Sequence, residues 1–354
     1  MSLTILNVAY PFSLVGSAAV GGAEQILGYL DRALVRAGHR SIVVASEGST
    51  TAGCLVSVAN ESGVLDDPAK ERAWQNHRRA IAMALESWPI DLVHLHGFDF
   101  HAYLPPVGVS TLVTLHLPLE WYPPVALRPT RAGLWFNCVS KSQHDRCAEV
   151  AGFLPPIANG VPIDALAARH GRRSFALVLG RICPEKGIHI AMDAARHADI
   201  PLLVGGHTFR YPTHESYFRQ EIEPRLDPLR RLLGPLDFRR KRRFLSAARC
   251  LLLPSLAPET SSLVAMEAMA CGTPVIAFPN GALPEIVEHG RTGFLVRDVG
   301  EMAEAIHAVS EIDPEDCRAV ARERFSLDRM TRAYLGVYRK LAGKGGRPAF
   351  EGAA

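Results

Sequence analysis

Short apolar runs alternate with stretches of helical periodicity along the first half of the chain. Strands are predicted, in chain order, at residues 3–9, 41–46, 91–96, 111–116 and 134–140. Between the first two strands, one helix face is indicated by the apolar residues Ile26, Leu27, Leu30 and Leu34. Gly38 is predicted to end this helix in a left-handed conformation. Such an alternation of strands and helices is typical of a doubly wound parallel sheet.

The pattern breaks at residues 155–172, where proline, an Asn-Gly pair and polar residues indicate a linker, and it then restarts. The second series of strands is predicted at 175–180, 201–206, 250–255, 274–278 and 293–296. The fold class is therefore predicted as α/β, with two Rossmann-like doubly wound domains facing a central cleft. We place an N-terminal Rossmann-like domain at residues 1–160 and a C-terminal Rossmann-like domain at residues 173–327.

The last helix is predicted at residues 328–342. Its apolar stripe consists of Met330, Tyr334, Val337, Tyr338 and Leu341. Because such a stripe must be covered, we expect this helix to dock back towards the N-terminal domain. Residues 343–354 are predicted to form a flexible tail.

Composition narrows the function classes. The chain has 354 residues, with 39 Lys and Arg against 36 Asp and Glu, so net charge alone predicts no nucleic-acid partner. The seven cysteines form no C-x-x-C pair, which argues against a disulfide framework or a zinc ribbon and favours a reducing cytoplasm. Asn7 and Pro11 interrupt the first apolar run, whose first basic residue is Arg32, so no secretory signal is expected. No apolar run is long enough to span a membrane.

Ligands of doubly wound sheets bind beyond the carboxyl ends of the strands. Polar and glycine-rich positions cluster at these predicted ends, namely the loop from Gly16 to Gly22, His94, His96, His116, Arg181, His207, Glu259 and Asn280. These positions are therefore the candidates for a binding site.

The segment LGRICPEKG, residues 179–187, places Arg181 and Lys186 between a strand and a helix N-terminus. Two cations beside free helical N–H groups predict a diphosphate site, although the same residues also fit a solvated turn. The chain contains no G-K-[ST] and no G-x-G-x-x-G motif, so a P-loop and a nicotinamide cofactor are both disfavoured.

The segment PETSSLVAMEAMACGTPVIAF, residues 258–278, contains two carboxylates. Ser261 or Ser262 is predicted to cap a helix that ends at Gly272, with Glu259 in the preceding loop. Glu267 lies within the helix among apolar residues, where a buried carboxylate needs partners. Hydroxyls of a sugar or ribose would provide them, and so would a backbone or arginine donor.

Taken together, these motifs resemble glycosyltransferase family 4 of the GT-B fold, over about residues 3–341. The resemblance rests on the two glutamates, the Arg181 and Lys186 pair, GGAE (21–24), TLH (114–116), NGV (159–161) and NGALPEIVEHGRTGFLV (280–296). It implies a retaining hexosyltransferase-type enzyme that uses a nucleotide-diphosphate sugar, with no cofactor and no metal-binding residues. The resemblance also implies that the C-terminal domain binds the nucleotide sugar and that the N-terminal domain is on the acceptor side. UDP is the nucleotide expected, because it is common in this family.

The resemblance also implies residue roles. Catalytic roles fall to His116 near the anomeric centre, Glu259 on the transferred sugar, and Arg181 and Lys186 as the diphosphate clamp. The other implied donor-binding positions are Gly21, Gly22, Ser261, Ser262, Leu263, Val264 and Glu267, the last on the ribose. The sequence departs from the family at Thr260, Ser261 and Ser262, where an aromatic or small residue and then glycine are usual. This departure affects the identity of the donor sugar.

Two further segments have an open interpretation. Trp121, Tyr122 and Arg128 lie in a proline-broken loop that either contacts the acceptor or packs as an ordinary loop. The basic run at 239–243 is interpreted as a solvated helix start, or else as a contact with an anionic lipid or the donor, which would allow peripheral membrane contact.

Other classes of function remain as alternatives. His94, His96, Asp99 and His101 could hold a metal in a hydrolase. Glu259 and Glu267 could serve as acid and base in a glycosidase. An epimerase or a non-catalytic nucleotide-sugar binder would use the same fold.

Overall fold

The computed structural model describes residues 2–16, 19, 21–61, 66–128, 131–147, 150, 152–167, 170–171 and 173–342. The chain divides into two compact units. Unit 1 comprises the residues up to Ala158 together with those from Met330, and unit 2 comprises Asn159–Arg329. The predicted linker therefore falls largely within unit 2, and the predicted tail at 343–354 lies outside the described residues.

Unit 1 is built on a seven-stranded parallel sheet in the order β3-β2-β1-β4-β5-β6-β7. Its strands are β1 (Thr4–Val8), β2 (Arg40–Ser46), β3 (Cys54–Val58), β4 (Leu92–Leu95), β5 (Thr111–Leu115), β6 (Leu134–Cys138) and β7 (Phe153–Leu154). Its first helices are α1 (Gly22–Arg36), α2 (Asp67–Ser87) and α3 (Lys141–His144). The central strands are largely apolar and buried, as expected for a parallel sheet covered on both faces, and their polar residues Asn7, His94, Thr114 and Asn137 are buried as well.

Unit 2 has a six-stranded parallel sheet in the order β10-β9-β8-β11-β12-β13. Its strands are β8 (Ala176–Leu179), β9 (Leu202–Gly205), β10 (Arg230–Gly234), β11 (Cys250–Leu253), β12 (Val275–Ala277) and β13 (Gly293–Leu295). Its helices are α4 (Ile163–Leu166), α5 (Ile188–His197), α6 (Pro212–Tyr217), α7 (Phe238–Ala247), α8 (Leu263–Ala270), α9 (Leu283–Ile286), α10 (Val299–Ala308) and α11 (Pro314–Phe325). The prediction of two Rossmann-like sheets is confirmed.

Strands β3, β7 and β10 were not predicted from the sequence. β3 and β10 are edge strands, and residues such as Arg231 on β10 are exposed. An edge strand is covered less than a central one and can carry charge, as β10 does at Arg230 and Arg231, so it need not produce an apolar run. β7 has only two residues, Phe153 and Leu154, which is too short for any periodicity.

The predicted ends of two helices are confirmed. Gly38 follows α1 with a φ of 77°, and the N–H of Gly38 donates to Val35 while that of His39 donates to Leu34. Ser262 caps α8 by accepting from the N–H of Ala265, and Gly272 follows this helix with a φ of 79°. Both glycines adopt the left-handed conformation that side chains disfavour.

The last helix, α12 (Leu327–Ala342), packs on the unit 1 sheet through a buried polar network. Tyr338 Oη lies 2.7 Å from His94 Nδ1, and His94 Nε2 lies 2.7 Å from Thr114 Oγ1. Thr114 in turn donates to Asn137 Oδ1, and the Tyr334 hydroxyl lies 3.2 Å from Thr114. Since the Thr114 proton is used on Asn137, the proton on His94 must be on Nε2, and Tyr338 donates to the bare Nδ1.

This network makes His94 a structural residue. Complete burial, with a smaller contribution from His116, holds the pKa of His94 well below its usual value, so the ring is neutral. A neutral ring with one donor and one acceptor matches its two partners. Strands β4, β5 and β6 each contribute one polar group to the helix contact, and all of these groups are paired.

Replacing Tyr338 with phenylalanine tests this network. The change leaves His94 Nδ1 buried without its donor, and we expect it to lower the free energy of unfolding of unit 1 by about 1–3 kcal/mol. All four tryptophans, Trp74, Trp88, Trp121 and Trp135, lie in unit 1, so tryptophan fluorescence during urea unfolding reports on this unit.

Tyr211→Phe is the matched control, because Tyr211 is 55% exposed and lies in unit 2. It should leave the unit 1 transition within about 0.5 kcal/mol of the wild type. Identical transitions for Tyr338→Phe and the wild type would show that the hydrogen bond to His94 does not stabilise the fold.

Candidate functional site

Lys186 and Glu259 meet in unit 2 at the carboxyl ends of two neighbouring strands. Lys186 follows β8 and Glu259 follows β11, and these strands pair in parallel. Lys186 Nζ lies 2.5 Å from Glu259 Oε1, to which Ser255 Oγ also donates over 2.5 Å. The Glu259 side chain is only 14% exposed, so water solvates its carboxylate little. The Lys186 ammonium balances its charge, and the Ser255 hydroxyl adds a second hydrogen bond.

The backbone around this pair is fixed by glycines and loop hydrogen bonds. Gly187 has a φ of 59°, and a Cβ there would lie 2.2 Å from the Pro254 carbonyl oxygen. On the other side, the N–H of Ala282 donates to the Glu259 carbonyl over 2.7 Å, and Asn280 Nδ2 donates to the Ser255 carbonyl over 2.6 Å. The loops after β8, β11 and β12 are therefore joined around Glu259.

Arg181 lies at the end of the same loop as Lys186, two residues after β8. Its guanidinium has no hydrogen bond or salt bridge to any residue that the structure describes, and its side chain is partly exposed. The five N–H donors of Arg181 are thus available for an anion beside Lys186.

The hydrogen-bond partner of the Glu267 carboxylate is none of those expected from the sequence, which were ligand hydroxyls, a backbone donor or an arginine. Lys241 Nζ, on α7, lies 2.5 Å from Glu267 Oε1, and the carboxylate is 3% exposed. Burial raises the pKa of Glu267, while the Lys241 ammonium acts to lower it. The partner is therefore a lysine of the basic run and not an arginine or a backbone group.

The interpretation of 239–243 as a solvated helix start was wrong for part of this run. Arg239, Arg240 and Arg243 are exposed, in agreement with it. Lys241 turns inwards to Glu267, and Arg242 Nη1 donates to the Ala165 carbonyl over 3.0 Å. Every position of this run is basic, so charge alone could not indicate which residues face the interior.

The first turn of α8 adds polar groups near Glu259. The hydroxyl of Ser262 is used to cap the helix, whereas Ser261 Oγ is buried without a hydrogen-bond partner among the described residues. Leu263 and Val264, the other expected donor-binding positions, are partly exposed. A ligand hydroxyl could therefore pair with Ser261 Oγ, since buried polar groups are rarely left unpaired.

In unit 1, His116 follows β5 and has Nε2 at 3.1 Å from His96 Nδ1. Burial lowers the pKa of His116 to about 3, so the imidazole is neutral at physiological pH. A neutral ring can exchange hydrogen bonds with a hydroxyl but contributes no positive charge.

Gly21 and Gly22 begin helix α1 of unit 1. Gly21 is the N-cap residue, and a Cβ there would lie 2.0 Å from Oε2 of Glu24, whose carboxylate folds back over the turn. Burial raises the pKa of Glu24. Residues 17, 18 and 20 of the preceding loop lie outside the described residues.

The expected acceptor residues differ in their exposure. Trp121 is 46% exposed, and Arg128 is also exposed. Tyr122 is buried at 3% exposure and its hydroxyl accepts from the N–H of Leu117, so it has no free ring face for stacking on a sugar. Tyr122 is therefore corrected to a core residue.

The residues proposed for a metal hydrolase do not form a metal site. His94 belongs to the α12 network, and Asp99 accepts from Trp74 Nε1 and from Tyr103 Oη, both over 2.6 Å. Among the described residues, the ligand atoms of three His, Cys, Asp or Glu side chains converge at two places. Neither place includes His94, His96, Asp99 or His101. The His-rich strand end thus serves the unit 1 core.

Comparison with known proteins identifies the class of this chain. The sequence model "Glycosyltransferase Family 4" matches residues 20–164, and the model "Glycosyl transferases group 1" matches residues 173–311. The chain therefore belongs to the glycosyltransferases of family 4 and group 1, is a transferase, and has the GT-B fold class.

Individual relatives agree with this class. The chain is 27% identical to the uncharacterized glycosyltransferase MJ1178 of Methanocaldococcus jannaschii, over 73% of this chain and 78% of that protein. It is 40% identical to the D-inositol 3-phosphate glycosyltransferase of Mycobacterium leprae, but over only 27% of this chain and 24% of that protein. The crystal structure of Anabaena Alr3699/HepE in complex with UDP and glucose superposes with a TM-score of 0.74 at 19% identity, covering 95% of this chain and 99% of that one.

In the described part of the chain, no helix combines the length and the apolar character that crossing a bilayer requires.

The Lys241–Glu267 contact can be tested by removing the ammonium. Lys241→Met leaves a buried carboxylate unpaired, and we expect unit 2 to lose about 2–3 kcal/mol of stability, less than for a fully buried pair because Lys241 is 20% exposed. The double variant Lys241→Met/Glu267→Gln should recover most of this loss. The rate of backbone amide hydrogen exchange in peptides from α8 measures this change in stability.

Arg240→Met is the control, since Arg240 is exposed one position earlier on α7. It should change the exchange of α8 by less than the equivalent of about 0.5 kcal/mol. If Lys241→Met and Arg240→Met behave alike, the ion pair does not stabilise unit 2.

Proposed function

We propose that this glycosyltransferase transfers a sugar from a UDP-sugar to a hydroxyl group of a saccharide, lipid-linked or small-molecule acceptor, with retention of the anomeric configuration and without a cofactor or a catalytic metal. The observation that carries the proposal is the juxtaposition of Lys186, Glu259 and the unpaired Arg181 at the carboxyl ends of β8 and β11. The complex of Alr3699/HepE with UDP and glucose supports the choice of nucleotide and sugar class.

Arg181 and Lys186 would hold the diphosphate. When the bond between the anomeric carbon and the phosphate oxygen breaks, negative charge grows on the departing diphosphate. Fixed cations stabilise that charge more than they stabilise the bound donor, and this difference accelerates transfer. Lys186 is already oriented by Glu259, so little side-chain entropy remains to be lost when the donor binds.

Glu259 would recognise the transferred sugar by hydrogen bonds to its hydroxyl groups. Its Oε1 accepts from Lys186 and Ser255, while Oε2 has no hydrogen bond from the residues that the structure describes. A carboxylate oxygen with free lone pairs accepts from sugar hydroxyls, and the joined loops fix its position. Glu259 would therefore select sugars by the arrangement of their hydroxyls.

Glu267 would bind the nucleotide, and His116 would assist at the anomeric centre. Glu267 presents a buried carboxylate beside the Lys241 ammonium, a pair that offers both an acceptor and donors to ribose hydroxyls. The neutral His116 could hydrogen-bond a hydroxyl near the reacting carbon. In a retaining transfer, the new glycosidic bond forms on the face from which the diphosphate leaves, and the proton of the acceptor hydroxyl would pass to an oxygen of the departing diphosphate.

We further propose that the enzyme works in the cytoplasm. The seven cysteines are all free thiols, and Cys54 is exposed. Free exposed thiols fit a reducing compartment. The exposed side chains of Phe238, Arg239 and Arg240 on α7 would permit a peripheral contact with an anionic membrane face.

A panel of nucleotide sugars tests the donor assignment. UDP-, GDP- and ADP-linked sugars are compared by thermal shift and by release of free nucleotide in the presence of candidate hydroxyl acceptors. We expect UDP to stabilise the protein and a UDP-sugar to be turned over. Binding of GDP or ADP in preference to UDP would overturn the proposed nucleotide, and binding without transfer to any acceptor would leave a nucleotide-sugar binder.

Lys186→Ala tests the clamp in the same assay. Loss of this cation should reduce kcat/KM by about 10²–10³-fold, because the charge of the leaving diphosphate is stabilised less. Glu259→Ala should alter the ranking of donor sugars while changing the Kd for UDP by less than about 3-fold.

Lys340→Ala is the matched control, since Lys340 is exposed on α12. Its kcat/KM should equal that of the wild type. Equal turnover by Lys186→Ala and Lys340→Ala would contradict the assignment of Lys186 to the diphosphate.

A further inference from the structure

Three different metal-ligand side chains converge in unit 2, two of them within the loop from Arg181 to Lys186. Cys183, Glu185 and His214 each offer one ligand atom, and the three atoms lie within 4.8 Å of one another. Cys183 is completely buried and His214 is 7% exposed. None of the three belongs to the donor-binding residues described above.

Two polar atoms of this group have no hydrogen-bond partner among the described residues. They are Oε2 of Glu185 and Nδ1 of His214, and both are buried. Buried polar atoms without a partner are uncommon in folded proteins, and each needs an explanation. Here two of them occur in side chains that point to the same small region, which indicates that something outside the chain satisfies them.

The three side chains come from two separate segments. Cys183 has an extended backbone conformation, and Glu185 lies in the short 3₁₀ turn Pro184–Lys186 that follows it. His214 lies on α6, where its ring packs edge-on against Tyr211 at a centroid distance of 5.1 Å. A ligand bound by all three residues would link the turn after β8 to α6.

The chemistry of the three ligands selects the class of cation. A thiolate, an imidazole and one carboxylate form the sulfur, nitrogen and oxygen set that suits Zn²⁺, whereas Mg²⁺ and Ca²⁺ require oxygen ligands. Zn–S bonds of about 2.3 Å and Zn–N and Zn–O bonds of about 2.0–2.2 Å place the ligand atoms of a tetrahedral site roughly 3.4–3.6 Å apart. Side-chain rotations that move these atoms by about 1 Å would close the group around the ion.

We propose that Cys183, Glu185 and His214 form a Zn²⁺ site with three protein ligands and one open position. The site is separate from the transfer reaction, and the proposal does not depend on the identity of the sugar donor. The ion compensates the thiolate and the carboxylate, satisfies His214, and fixes α6 to the turn that also carries Lys186.

A second group of metal-ligand atoms, Cys138, His144 and Cys147 in unit 1, provides an internal comparison. Its two thiols contact each other at 3.6 Å, and Cys147 Sγ donates to the Gln143 carbonyl, as Cys183 Sγ does to the Arg181 carbonyl. His144 is also more exposed than His214. The unit 1 group has one buried polar atom without a hydrogen-bond partner among the described residues, His144 Nδ1, whereas the unit 2 group has two and includes a carboxylate, so we assign the zinc to the unit 2 group.

The experiment uses the full chain carrying Cys54→Ser, so that the one exposed thiol does not bind metal. After treatment with a chelator, Zn²⁺ is titrated in competition with a chromophoric chelator, and Co²⁺ is titrated separately. We expect one Zn²⁺ per chain, a thiolate-to-cobalt charge-transfer band in the near ultraviolet, and an increase in melting temperature of about 2–6 °C with saturating Zn²⁺.

Substitutions assign the site. Cys183→Ser and His214→Ala should each weaken Zn²⁺ binding by about 100-fold or more, and Cys183→Ser should abolish the cobalt band. Cys147→Ser, the matched control, should retain both. Circular dichroism shows whether each variant is folded.

Three outcomes overturn the proposal. One is the absence of a cobalt band in the Cys54→Ser protein, a result that decides against the site without any further substitution. The second is loss of binding in Cys147→Ser with full binding in Cys183→Ser, which would place the metal in unit 1. The third is equal affinity of Cys183→Ser, His214→Ala and the parent protein.

Discussion

The pairing of two carboxylates with lysines, one carboxylate buried and one partly buried, is the interaction on which unit 2 depends. Glu259 and Glu267 each lie in a position with little water, where an uncompensated charge would be expensive. Lys186 and Lys241 reach them from other elements, so each ion pair also fixes the relative position of two segments of unit 2. The cost of burying the charges is offset only if the geometry is maintained, and the loops around Glu259 maintain it through Gly187 and Asn280.

The same arrangement makes the site suitable for a transferase. Charges that are already oriented need little rearrangement when a diphosphate departs, which is the condition for effective electrostatic stabilisation. Arg181 differs from the two lysines because no described residue pairs with it, and it therefore retains its full capacity for an anion. Unit 2 thus combines lysines that are held in place by glutamates with one arginine, Arg181, whose guanidinium can bind an anion.

Sequence patterns predicted the parts of the structure that follow from local rules. Buried central strands are continuous apolar runs, and Gly38 and Gly272 end helices in the conformation that only glycine adopts readily. The approach of Lys186 and Glu259, which are 73 positions apart, was predictable because strand ends of a parallel sheet share one edge. These expectations needed no knowledge of side-chain packing.

Contacts that depend on tertiary orientation were not predictable in this way. Lys241 is one of five consecutive basic residues, and only the rotation of α7 decides that it faces Glu267. Similarly, a histidine within the apolar strand β4 signals a buried partner, but nothing local identifies Tyr338, which is 244 positions away. Tyr122 is a candidate for stacking on a sugar from the sequence because it lies in a proline-broken loop, yet its ring lies in the core.

The attachment of α12 to the unit 1 sheet has a consequence for biosynthesis. Strands β4, β5 and β6 leave the ribosome about 200 residues before Tyr334 and Tyr338, which is roughly 10–40 s of translation at ordinary elongation rates. During that interval His94, Thr114 and Asn137 lack their aromatic partners, and the nascent sheet has an uncovered face. Unit 1 therefore completes its folding only after the whole of unit 2 has been synthesised, so the order of synthesis is not the order of completion.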